Sequence, residues 1–212
     1  MQAETYILVG SVLLLLGIAA AVGQALKRQA PTSVDPAQVE QFNLRIQAWW
    51  LLGAILAACF FFGTAASQIF FGVLSFWALR EFITLTPTRA ADHRALFWVF
   101  CLFTPLQYVI IGISDEPRFR ESANHAFSVL IPVYGFLFVP ARVALAGDYK
   151  RYLERCAKIQ AGMMICVYCL SHAAALLELP LKRDDNVTYD NEALLFFFLL
   201  VTVSGDAFGF VF

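Results

Sequence analysis

Asp206, within Ser204-Gly-Asp-Ala-Phe-Gly209, is the single charged residue of the apolar stretch Ala193–Phe212. A carboxylate costs on the order of 3 kcal/mol at the centre of a membrane helix, so it is usually kept there for function. The small residues around it leave room for a ligand or ion, which makes Asp206 the candidate catalytic residue. A second group lies in Arg80-Glu-Phe-Ile-Thr-Leu-Thr-Pro-Thr-Arg-Ala-Ala-Asp-His-Arg94. Guanidinium forks match phosphate oxygens, so Arg80, Arg89, His93 and Arg94 are candidate phosphate ligands; they serve equally as cationic anchors around a turn at Thr86-Pro-Thr88. Arg142, just after Pro140, could meet a lipid phosphate or simply snorkel to the interface. His172 follows Ser171 in an apolar run, where such a polar pair bonds to a neighbouring helix or relays protons. Cys166 and Cys169 form a Cys-x-x-Cys within GMMICVYCL. On a helix the two share a face, and hydrocarbon disfavours the reactive thiolate, so packing is the expected role.

These side chains must be positioned by membrane helices. Apolar runs cover Tyr6–Leu26, Trp49–Leu79, Ala95–Ile113, Ala126–Val139, Ile159–Leu179 and Ala193–Phe212. Spans need about 20 residues each, so Trp49–Leu79 is too long for one and is expected to fold as a hairpin near Gly63–Gln68. The expected spans lie near 6–26, 49–63, 68–79, 95–113, 126–139, 159–179 and 193–212. The fold class is thus an all-α polytopic bundle of about seven spans, one membrane domain, N-terminus outside. The first run lacks a basic leader and is followed by Lys27 and Arg28, as in a retained anchor.

Charge placement supports the hairpin. With seven spans, eleven basic residues fall inside and only Arg118, Arg120, Lys182 and Arg183 outside, fifteen in all; treating Trp49–Leu79 as a single span abolishes the bias. Asp206, six residues from Phe212, then lies roughly 9 Å from the cytosolic end. Pro105 and Pro132 are expected to kink their helices, and Gly135 and Gly162 to admit neighbouring backbones. The segment LAGDYKRYLERCAK, Leu145–Lys158, reads as amphipathic and as lying along the inner interface. Asn186-Val-Thr188 matches a glycosylation acceptor by spacing alone.

Hydrophobic residues make up 60% of the chain and charged ones 15%, with a net charge of −1. Soluble domains carry about 25% charged residues, so an integral membrane protein is implied and a nucleic-acid partner is not. Phosphate-binding Walker loops, GxSxG, HExxH and dinucleotide fingerprints are absent from the sequence.

From about Trp49 onward the chain resembles the integral-membrane phosphatidate cytidylyltransferases (CDP-diacylglycerol synthases), most closely a bacterial subgroup. The resemblance is carried by LREFITLTPTR at Leu79–Arg89, DHRALFWVF at Asp92–Phe100, TPLQY at Thr104–Tyr108, IPVYGFLFVPAR at Ile131–Arg142, LERCAKIQAGMMICVYCLSH at Leu153–His172 and the final SGDAFGFVF. That last segment resembles the family's intramembrane Asp preceding a Gly-Lys/Arg loop, so Asp206 alone carries over from the family's acidic residues. The family's diagnostic signature, Ser and Lys-Arg, then Lys-Asp, His-Gly-Gly and Asp-Arg-x-Asp, lies downstream of anything in this sequence. The chain is therefore expected to be the front portion of a longer enzyme, inactive alone.

The resemblance implies a reaction in phospholipid biosynthesis, in which CTP and phosphatidate give CDP-diacylglycerol and pyrophosphate. It implies Mg²⁺ as cofactor, CTP and phosphatidate as substrates, and a multi-pass location in the bacterial inner membrane; a homodimer is compatible with it. Two other readings stand beside it. One is a non-enzymatic lipid-binding membrane subunit. The other is a small proton-coupled transporter using Asp206 and His172, for which an inverted repeat would be expected and is not seen.

Overall fold

A computed structural model describes residues 36–114, 116–179 and 191–211, with scattered helical positions between 10 and 24; the side chains of 36–39, 42, 56–62, 192, 203 and 206–211 are not described. The span expected near 6–26 and the Asn186-Val-Thr188 site fall largely or wholly outside these residues. All regular structure among the described residues is helical. The helices are α1 (Pro36–Phe62), α2 (Thr64–Leu85), α3 (Ala90–Ser114), α4 (Arg120–Ala144), α5 (Tyr152–Glu178) and α6 (Asn191–Val211). Among the described residues, four helices, α2 to α5, are long and apolar enough to cross a membrane. The chain divides into two compact units, residues 63–179 and the two flanking segments together.

The expected break in Trp49–Leu79 falls at Gly63, which adopts φ 95° and whose carbonyl accepts from the N–H groups of Ala66 and Ser67 at 3.1 and 3.2 Å. That left-handed backbone suits glycine because a Cβ would be strained there. The following helix starts earlier and ends later than the expected 68–79. It also takes Arg80 to Leu85 out of the expected loop, leaving Thr86–Arg89 as the turn before a short 3₁₀ entry into α3. Likewise Leu145–Lys158 does not form a separate interfacial segment. A turn occupies Leu145–Arg151, and α5 begins at Tyr152.

Within residues 63–179, α2 packs on α3 and α5, and α4 packs on the same two helices. Each buries one ridge of residues four apart, which lie one above another on a helix face. In α2 the ridge is Ser67, Phe71, Ser75 and Leu79; in α3, Ala95, Val99, Phe103, Gln107 and Ile111; in α4, Ile131, Gly135, Val139 and Val143; in α5, Arg155, Ile159, Met163, Val167 and Ser171. The outward faces are apolar instead, with Ile69, Trp77 and Leu137 each more than 60% exposed. Serine and glutamine inside with tryptophan and leucine outside is the pattern expected when lipid, not water, surrounds the bundle.

The prolines are accommodated by rearranged backbone and neighbouring donors. π-Helical turns occupy Val99–Phe103, Leu130–Gly135 and Met163–Cys169. Thr104 Oγ1 donates to the Val99 carbonyl at 2.9 Å just before Pro105. Gln107 Nε2 donates to the Phe127 carbonyl at 3.3 Å, five residues before Pro132, where a π turn would need the N–H that proline lacks. Pro140 removes the donor for the carbonyl of Phe136, and Gln160 Nε2 of α5 replaces it at 3.0 Å. In hydrocarbon such groups must find partners inside the protein. Gly135 and Gly162 receive side chains, Met163 and Phe82 respectively, where backbones were expected. The π turn also separates the two cysteines: Cys166 is buried and Cys169 exposed, so they do not share a face.

Candidate functional site

The strongest polar cluster joins two turns at one end of the four-helix unit. Asp92 ends the 3₁₀ turn that opens α3, and Arg155 lies in the first turn of α5. Their side chains are 1% and 4% exposed. Arg155 Nε donates to Asp92 Oδ1 at 2.7 Å, and Arg155 Nη2 donates to the same oxygen. The other Asp92 oxygen accepts from the Arg89 backbone N–H at 3.0 Å, while the Asp92 N–H returns to the Arg89 carbonyl at 2.9 Å. Arg155 Nη1 reaches across to the carbonyls of Asp148 and Lys150 at 2.6 and 3.2 Å. A buried charge pair is tolerated when its remaining hydrogen-bonding positions are filled in this way.

Asp148 forms the outer half of the cluster. Its Oδ2 sits 3.1 Å from Arg89 Nη1 and 3.3 Å from Arg155 Nη1, and its Oδ1 accepts from the Lys150 N–H at 3.1 Å. The Lys150 N–H and then the Arg89 guanidinium hold its carboxyl below the usual carboxylate range. Arg151 takes φ 53°, a left-handed conformation uncommon for a residue with a side chain, as the chain turns from this loop into α5. Tyr152 then donates its hydroxyl to the Pro140 carbonyl at 3.0 Å, tying the start of α5 to α4.

The residues singled out from sequence distribute around this cluster. Arg89 is part of it. His93 and Arg94 begin the regular part of α3, both exposed, and Arg142 is half-buried near the end of α4. These four therefore share one end of the unit. Arg94 and Arg142 make no ion pair or side-chain hydrogen bond among the described residues. Arg80 lies more than a turn deeper on α2, its guanidinium 6.0 Å from the Trp77 ring centre. Asp206 falls in α6, in the other unit, with its side chain outside the described residues. His172 is exposed on α5, its Nδ1 2.8 Å from the Tyr168 carbonyl, and its ring packs edge-on against Tyr168 and Phe127.

Of the ten Lys and Arg residues between 63 and 179, eight (Arg80, Arg89, Arg94, Arg142, Lys150, Arg151, Arg155 and Lys158) lie within about two turns of this end, against Arg118 and Arg120 at the other. Among the described residues no three His, Cys, Asp or Glu side chains converge as metal ligands. Asp92 and Asp148 are engaged by arginines and Glu154 by Arg151 and Lys158, so the described residues do not by themselves fit a Mg²⁺ site. An apolar groove of about 640 Å³ runs between α2 and α3, lined by Gly72, Val73, Phe76, Phe100, Tyr108 and their neighbours. On its wall the Tyr108 hydroxyl lies 2.5 Å from Ser75 Oγ.

Residues 43–212 match the cytidylyltransferase family, and the chain belongs to that family. It is 33% identical over 171 residues to the uncharacterized protein YnbB of Escherichia coli (strain K12), an alignment covering 78% of this chain and 50% of that protein. The chain thus spans about half the length of the curated relative it matches. No solved structure matches it.

Proposed function

We propose that this chain is the membrane-embedded, phosphate-facing part of a CTP-using nucleotidyltransferase whose acceptor is phosphatidate, giving CDP-diacylglycerol and pyrophosphate. The observation that carries this reading is the family match over residues 43–212. Support for a lipid acceptor comes from the four apolar spans, and for a phosphate from the gathering of Arg89, His93, Arg94 and Arg142 at one end. By the positive-inside rule that end faces the cytosol, where CTP is found.

In this reading the arginines draw in and orient the lipid phosphate for attack on the α-phosphorus of CTP, with pyrophosphate as the leaving group. Arg94 and Arg142, which lack anionic partners among the described residues, are the first choice for that contact. The buried Asp92–Arg155 pair fixes the geometry by clamping the turn before α3 to the turn before α5. Asp206 is assigned to the catalytic centre on the strength of its setting in the sequence. The test is CTP-dependent pyrophosphate release, with phosphatidate and Mg²⁺ supplied, measured on the purified chain and on the product of the complete gene. Release that requires phosphatidate supports the reading; failure of both proteins to consume CTP rejects it.

A further inference from the structure

The Asp148 carboxylate occupies a setting whose charges and donors also match a phosphate. Two guanidinium groups and one backbone N–H converge on it, the donor types that recognise phosphate oxygens. One of these cations, Arg155, is nearly fully buried and faces the carboxylate as an ion-pair partner at 3.3 Å, its hydrogens given to Asp92 and to carbonyls, so a fixed positive charge forms the floor of the cradle; the other, Arg89, donates to the carboxylate from a side chain 43% exposed and opens the cradle outward. Asp148 itself is 28% exposed.

The loop allows the carboxylate to leave. Gly147, directly before it, takes φ 75° with no atom within 4 Å of where a Cβ would lie, so the backbone at this point has room to turn. Departure of the side chain would not strand the buried cation. Arg155 keeps Asp92, and its bonds to the carbonyls of Asp148 and Lys150 can hold the loop backbone. Arg151 and Lys158, by contrast, are both paired with Glu154, at 3.2 and 2.7 Å. Arg89 is thus the cation whose anion is most readily exchanged.

We infer that Arg89, Arg155 and the Lys150 N–H form a phosphate-monoester site in which Asp148 is a built-in placeholder, displaced when a phosphoryl group binds. The inference rests on reading this end as the substrate-facing one, and it adds a gate to it: Asp148 keeps the cradle neutral until a dianion, carrying more charge than the carboxylate, takes its place. The shared chemistry is a phosphate monoester, either on a lipid or free in solution.

The test measures binding without turnover, so it stands apart from the nucleotidyl-transfer assay. Inorganic phosphate is titrated onto the purified chain in detergent, and phosphatidate is compared with phosphatidylcholine in nanodiscs. Asp148→Asn, nearly isosteric, is expected to bind phosphate about tenfold tighter than the parent, a change of ~1.4 kcal/mol. Arg89→Gln, which leaves Asp92 and Arg155 paired, is expected to bind about tenfold more weakly and to abolish the gain from Asp148→Asn in the double variant. A response to free phosphate identifies a site open to soluble ligands; a response only to phosphatidate identifies a lipid headgroup site. No response to either overturns the proposal. So does an Arg89→Gln chain that binds as well as the parent, or a folded Asp148→Asn chain that binds no better.

Discussion

Arg155 Nε meets Asp92 Oδ1 at 2.7 Å across 63 positions of sequence, and through that contact the turn entering α3 is fixed to the first turn of α5. Arg155 belongs to the same ridge as Ile159, Met163 and Val167, all buried. Asp92→Ala takes the buried carboxylate from Arg155 and leaves it only the more exposed Asp148, 3.3 Å away, and is expected to destabilise the four-helix unit by about 3 kcal/mol. Replacing both residues, Asp92→Leu with Arg155→Met, should cost far less. Unfolding of Asp92→Leu, Arg155→Met and the double variant in detergent checks this. A loss in the double variant equal to the sum of the two single losses would show that the pair is not coupled.

Gln160 and Pro140 form a second pair whose effects should not add. Gln160→Leu orphans the Phe136 carbonyl, with an expected cost of about 1–3 kcal/mol. In a Pro140→Ala background residue 140 can donate to that carbonyl itself, and the same substitution should cost less than half as much. A double-mutant cycle on thermal unfolding measures the difference.

The two interior glycines are expected to differ. A Cβ at Gly162 would lie 2.7 Å from Phe82 Cδ1, and an aromatic ring cannot bend away. A Cβ at Gly135 would meet the terminal methyl of Met163 at 2.5 Å, the far end of a flexible side chain. Gly162→Ala should therefore cost about 1–3 kcal/mol and Gly135→Ala less. Unfolding midpoints of the two variants, measured side by side, decide the order.

Acid should loosen the outer half of the polar cluster. The Asp148 carboxyl titrates below its ordinary value because the Lys150 N–H and Arg89 hold the ionised form. A carboxyl depressed in the folded state contributes stability that is full above its unfolded value, near 4, and is lost as the pH falls through the folded one. Hydrogen exchange in residues 145–151 should thus rise below about pH 4 in the parent. In Asp148→Asn that acid-dependent step should be absent.

How much of this was legible in the sequence depended on the kind of signal. The apolar runs announced the four spans between residues 64 and 178, and Gly63 announced the break before α2, because chain length against bilayer thickness and a backbone turn that suits glycine are local matters. The proximity of Arg89, His93, Arg94 and Arg142 followed from alternating helices. The Asp92–Arg155 pair was not found, although a sign was present. Arg155 stands four residues before Ile159 and eight before Met163, so a cation lay on the core ridge and required an acid from another helix. Which acid answered it is a long-range fact that no local pattern contains. The separation of Cys166 from Cys169 was missed because the expected spacing assumed an α-helix and the chain makes a π turn there.

The end carrying Arg94 and Arg142 is proposed to receive the lipid phosphate. The most direct test is the KM for phosphatidate in CTP-dependent pyrophosphate release, with the complete gene product carrying Arg94→Gln and Arg142→Gln compared with Arg118→Gln at the opposite end. A KM raised about tenfold or more by the first pair and unchanged by the second substitution is expected. An unchanged KM in the Arg94/Arg142 variant, or a rise caused by Arg118→Gln alone, would contradict it.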